Sequence, residues 1–145
     1  MRLGAIVIDS GDAEELSAFY QKLLGWTIER QFFEGEKWVI VKSMDDGMSR
    51  LVFQEVADYK RPKWPSAEGL QQKMLHLDFY VKKDDFDNEV EHALSCGAAL
   101  SEIQLSESWK VMLDPAGHPF CIVPLPLGGE RTPNTEGQKT WLMPT

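Results

Sequence analysis

The sequence predicts an α+β fold built from two βαβββ units, and three observations support it. Strand-like and helix-like runs follow one another in the order strand, helix, three strands, and that order occurs twice. The glycines that close the two helical runs, Gly25 and Gly97, lie 72 positions apart (97 minus 25), and His76 lies 71 positions after Ala5 (76 minus 5). The stretch Met74–Val81 alternates Leu77, Phe79 and Val81 with His76, Asp78 and Tyr80, so one strand face suits a helix and the other a cavity. A four-stranded sheet with one covered face leaves the other concave, and pairing of the two units is expected to close that concavity into a pocket.

The first unit spans residues 3–56. Leu3–Asp9 sets Ile6 and Ile8 against Ala5, Val7 and Asp9, the period of a strand. Gly11-Asp12 supplies a turn and an N-cap, and Ala13–Leu24 carries Leu16, Phe19, Tyr20 and Leu23 at helical spacing before Gly25. Three strands follow, Trp26–Phe33, Lys37–Ser43 and Arg50–Val56, parted by Glu34-Gly35-Glu36 and Met44-Asp45-Asp46-Gly47. Pro62, Pro65 and Gly69 interrupt residues 57–73, which read as a linker with Trp64 as its one large apolar side chain.

The second unit spans residues 74–123: strand Met74–Val81, helix Asp85–Ser95 with Phe86, Val90, Ala93 and Leu94 on one stripe, then strands Ala99–Leu105, Trp109–Leu113 and Pro119–Val123. Residues 1–124 therefore form one domain, with a C-terminal tail over 125–145. The tail is rich in Pro, Gly, Thr and charge, a composition of disordered segments, and Trp141-Leu142-Met143 is its one stretch apolar enough to dock. Strand period turns Ala5, Gln54, His76 and Cys121 to the open faces, and Ile6, Ile8, Leu77, Phe79, Phe120 and Ile122 beneath the helices.

Composition narrows the partners. With 145 residues and 43% hydrophobic content the chain has an ordinary core. The longest apolar runs are a few residues and Met1-Arg2-Leu3-Gly4 leads straight into a strand, so neither leader nor anchor is expected. Two cysteines, Cys96 and Cys121, make no disulfide framework and agree with a reducing, cytoplasmic setting. A formal charge of −8 repels phosphate backbones and anionic lipid, so nucleic acid and membrane are not expected partners. The same charge attracts cationic ligands, although acidic surfaces also serve solubility alone.

His76 and Asp78 are the candidate acid and base, with Tyr80 as a hydroxyl donor; the alternative is that all three are satisfied polar groups between the units. His118 follows Gly117 and is expected to fix a turn. The flanks of the two cysteines lack nearby basic residues on the same strand, so neither thiol reads as a nucleophile. Trp38 and Trp109 occupy equivalent third strands and read as packing, whereas Trp64, between Pro62 and Pro65, is placed to cover a pocket mouth or a second copy in a homodimer.

Three segments resemble the vicinal-oxygen-chelate superfamily of glyoxalase I, bleomycin-resistance proteins and extradiol dioxygenases, and within it the glyoxalase-like domains. They are Phe19-Tyr20-Gln21-Lys22-Leu23-Leu24-Gly25-Trp26, His76-Leu77-Asp78-Phe79-Tyr80-Val81 with Asp84-Asp85, and Trp109-Lys110-Val111-Met112-Leu113-Asp114-Pro115-Ala116-Gly117-His118-Pro119-Phe120-Cys121. The resemblance implies a cleft between two βαβββ units and, in metal-dependent members, His and Glu ligands on the first and last strand of each unit. Those positions fall here on Ala5, Gln54, His76 and Cys121, so one good ligand among four remains, and neither a metal nor another cofactor is expected.

The implied function is a metal-independent small-molecule-binding protein that sequesters an amphiphilic metabolite or drug through Gln54, Trp64, His76, Asp78, Tyr80 and Cys121. Two alternatives stand beside it: a lyase, isomerase or dioxygenase-like enzyme using His76, and an interaction domain with a remnant cavity.

Overall fold

The structure is a computed structural model that describes residues 1–45, 49–125, 131–133 and 139–141, leaving aside the side chains of Phe33 and of the last two segments. Strand β1 (Ile6–Ser10) leads into helix α1 (Ala13–Leu24), whose N-cap Asp12 accepts a hydrogen bond from the Glu15 amide at 2.9 Å. Gly25 ends the helix in the left-handed region at φ 67°, which favours glycine. Strands β2 (Thr27–Phe33), β3 (Glu36–Lys42) and β4 (Arg50–Glu55) complete the first unit. The second unit repeats the plan with β5 (Leu77–Lys82), a 3-10 turn over Lys83–Asp85, α2 (Phe86–Cys96), β6 (Ala99–Leu100), β7 (Lys110–Leu113) and β8 (Pro119–Leu125).

Each unit makes one four-stranded sheet, ordered β1-β4-β3-β2 and β5-β8-β7-β6, with the first and last strands of the unit paired in parallel. This is the expected α+β architecture of two βαβββ repeats. The helix-covered faces meet in a single core that includes Ile8, Leu16, Phe19, Tyr20, Phe53, Met112, Phe120 and Ile122, with Ile6, Leu77 and Phe79 packed against it. Tyr20 stacks on Phe53 of its own unit and lies tilted 6.5 Å from Phe79 of the other, while Phe19 lies 6.0 Å from Phe120. On the outer side of α1, Glu14 binds Arg30 and Lys37, and these two cations hold its carboxyl down at about 2.

Several boundaries differ from the sequence reading. Strand β1 starts at Ile6 rather than Leu3 because its partner begins there, with Ile6 opposite Leu51, and β5 starts at Leu77 rather than Met74 because Leu77 faces Phe120 at the start of β8. The expected strand Ala99–Leu105 shrinks to two residues. The Ser101 N–H still donates to the Val111 C=O at 3.0 Å, but the Gln104 carboxamide then accepts from the Val111 N–H at 2.9 Å and donates to its C=O at 2.9 Å, so residues 102–105 leave the ladder.

Within the tail, β9 (Arg131–Pro133) and β10 (Lys139–Trp141) pair antiparallel. The expectation that Trp141-Leu142-Met143 docks the tail falls on side chains outside the described residues. Among the described residues no helix is long and apolar enough to cross a membrane.

Candidate functional site

Strands β5 and β8 run in parallel with Asp78 opposite Cys121, so both side chains rise on the open face, and His76 adds a third from just before β5. His76 Nε2 lies 3.3 Å from Asp78 Oδ1, and donor atoms of His76, Asp78 and Cys121 all fall within 4.8 Å of one another. Burial, and then the neighbouring Asp78 carboxylate, push the Cys121 thiol up to about 11, so it is protonated at neutral pH, in keeping with a thiol that is no nucleophile.

The three groups line one side of a cavity of about 680 Å³. Phe86 from α2, Trp109 beside β7, and Val123, Pro124 and Leu125 from β8 give it apolar walls; among the described residues Asp78, Asp87 and Glu107 set three carboxylates against one cation, Lys83. Such a volume and such a mixture of apolar wall and few polar groups belong to small-molecule sites. Every described residue lining this cavity comes from the second unit, so among the described residues the two units do not pair around it as the sequence reading expected.

The other candidates are placed elsewhere. Gln54 lies on the open face of the first sheet, opposite Trp38, with its Nε2 donating to Glu36 at 3.4 Å. Tyr80 borders a different hollow with Leu23, Leu24 and Phe79. Trp64 lies in the linker beside Lys60, Lys63 and Leu113 and does not reach the His76 cavity. Of the six residues named from the sequence, then, the structure brings together His76, Asp78 and Cys121. Phe86, Asp87, Glu107 and Trp109 were missed as lining residues; the equivalence of Trp109 with Trp38 suggested packing, and the others carry no local signal.

His118 does fix its turn, its amide donating to Asp114 Oδ1 at 2.9 Å, but it does more. Its Nε2 lies 2.7 Å from the Asp9 carbonyl and 3.3 Å from the Tyr59 hydroxyl, joining the units, and it borders a second cavity of about 360 Å³ with Val7, Asp9, Tyr59 and His76. Beneath it Asp114, only 1% exposed, accepts from the Tyr20 hydroxyl at 2.9 Å. Burial pushes Asp114 up against the pull of His118, the Tyr20 hydroxyl and the backbone N–H groups; burial and Asp114 together push Tyr20 well above 10.

An imidazole, a carboxylate and a thiol number enough donors for a zinc-like ion with one open position, and His76, Asp78 and Cys121 are the residues that would hold it. The sequence reading counted His76 as the one good ligand; Asp78 and Cys121 stand beside it as two further donors. Ligation needs the thiolate, so an ion held there would displace the proton that burial keeps on Cys121.

Comparison with known proteins places this geometry. Among curated proteins none matches the sequence. A glyoxalase/bleomycin resistance protein/dioxygenase family enzyme from Burkholderia phytofirmans PsJN is similar in fold, with TM-score 0.60 and 22% identity over 84% of this chain and 97% of that one. The antibiotic-binding protein TnmS3 from Streptomyces sp. CB03234 matches with TM-score 0.57 and 16% identity over 86% and 95%. The fosfomycin resistance protein FosX from Mesorhizobium loti matches with TM-score 0.59 and 13% identity over 84% and 90%. The family profile described as glyoxalase-like domain covers residues 5–123, through both units and the linker between them. The chain belongs to the glyoxalase-like domain family, on the vicinal-oxygen-chelate fold.

Proposed function

We propose that this protein binds an amphiphilic cationic small molecule in the second-unit cavity without needing a metal. The observation that carries the reading is the cavity wall itself, where Trp109, Phe86, Val123 and Leu125 offer apolar area and three carboxylates face one lysine. Burial of an apolar body contributes roughly 25 cal/mol per Å² removed from water, and the carboxylates favour a positive head. The antibiotic-binding relative is in keeping with sequestration as the role.

The test is a thermal-shift series of cationic, neutral and anionic aromatic compounds of one size, run with metal analysis of the purified protein. The expected result is a rise in Tm for the cations, because a ligand of the folded state alone stabilises it by mass action, with no stoichiometric transition metal. Equal rises for anions and cations would overturn the charge preference.

A second reading, a metal-assisted lyase, isomerase or dioxygenase-like enzyme, is favoured by one observation, the three-donor cluster of His76, Asp78 and Cys121. About one equivalent of Zn, Mn, Ni or Fe per chain, lost in His76→Ala, would establish it in place of the first. A homodimer is part of the proposal. Both β1 and β5 are edge strands, and Val7, Met74 and Leu75 beside them are exposed, leaving apolar surface and unpaired backbone for a second copy to cover.

A further inference from the structure

We infer a second ligand site, for an organic anion, in the linker between the units. Residues 57–73 fold back on themselves through a parallel bridge between Lys63 and Gln72, with the Lys63 amide donating to the Gln71 carbonyl at 2.8 Å. Arg61 pins this loop to the Asp114–Gly117 turn, its Nη1 donating to the Pro115 carbonyl at 2.6 Å. At Gly117, where φ is 90°, a Cβ would fall 2.5 Å from Arg61 Cγ, so the guanidinium stem fills the place of a side chain. The result is a cavity of about 440 Å³ whose walls include Lys60, Arg61, Lys63, Trp64, Leu70 and Leu113.

Among the described residues, every ionisable side chain lining that cavity is a cation, on a chain whose formal charge is −8. The side chains of Lys60 and Lys63 make no ion pair or hydrogen bond among the described residues. The Trp64 ring lines this cavity, with the Lys73 ammonium 4.9 Å from its centroid, while its Nε1–H is closed off from solvent and has no acceptor among the described residues. The group that meets Lys60 and Lys63 is a negatively charged oxygen, a carboxylate or a phosphate, and Trp64, Leu70 and Leu113 accept an apolar body attached to it. This site shares no lining residue with the cavity of about 680 Å³ and is opposite to it in charge, while Lys60, Pro62 and Gln71 also border the cavity of about 360 Å³.

The experiment follows the indole N–H of Trp64 in the ¹⁵N-labelled full chain, identified as the signal absent from Trp64→Phe. Phenyl phosphate, phenylacetate and neutral 2-phenylethanol are titrated in parallel at low salt, with wild type and with Lys60→Gln/Lys63→Gln. We expect a saturable shift of that signal with the anions, at least 10-fold weaker in the double variant and absent with the alcohol. A response to phenyl phosphate alone, or to phenylacetate alone, identifies which oxyanion the site takes. No shift with either anion, an equal shift with the alcohol, or unchanged affinity in the double variant would overturn the inference.

Discussion

Asp114→Ala is expected to lower the melting temperature by roughly 12 °C. The carboxylate is 1% exposed and accepts from the Tyr20 hydroxyl, from the His118 amide and from the Ala116 amide. Its removal strands the Tyr20 hydroxyl, itself 1% exposed, between the two units. Three lost acceptor contacts at about 1 kcal/mol each make about 3 kcal/mol, and for a chain of this length each kcal/mol moves Tm by about 4 °C. Asp114→Asn keeps the shape and one acceptor, so its loss should be about half as large.

The pH dependence has a definite sign. Burial raises the Asp114 pKa above its ordinary 3.8, so its contribution to stability is fully present below pH 3.8 and declines as pH rises through the raised value. The gap in Tm between wild type and Asp114→Ala should therefore be wider near pH 3.8 than at pH 7, as scanning calorimetry at the two pH values would reveal. A gap of 2 °C or less at both would mean that the link between the units lies elsewhere.

Trp109→Ala should weaken binding of an amphiphilic cation by about 30-fold. The Trp109 side chain walls the cavity, and some 80 Å² of its apolar surface covered by ligand is worth about 2 kcal/mol. At a ligand concentration 100 times the wild-type Kd, stabilisation should fall from about 2.7 to about 0.9 kcal/mol, a difference read directly as a smaller ligand-induced Tm shift. Asp78→Asn removes a partly solvated charge and should cost less, about 3- to 10-fold, with a loss that shrinks as salt rises. Trp64→Phe, outside this cavity, should leave cation binding unchanged. Calorimetric titration of the three variants separates these outcomes, and an undiminished affinity in Trp109→Ala would place the ligand elsewhere.

By itself the sequence determined the two βαβββ units, the helix caps at Asp12, Gly25 and Gly97, and the side of each strand that meets a helix. These follow from local rules: a strand repeats every two residues, a helix every 3.6, and a left-handed cap favours glycine. That is why Phe120 and Ile122 lie in the core, with Leu77 and Phe79 packed against it, as expected. Strand parity gives a face but no position along it, so Tyr80 shares a face with Asp78 in sequence and still borders a different hollow.

Only the tertiary structure decided what those faces confront. The parallel register of β5 with β8 brought Asp78 to Cys121, and the packing of α2 and the segment before β7 brought Phe86, Glu107 and Trp109 around them. The folded linker gave Trp64 a basic cavity of its own. Tyr20 and Asp114 meet across 94 residues, and no local period encodes such a contact; it exists because two sheets share one core and a buried carboxylate must find its donors there.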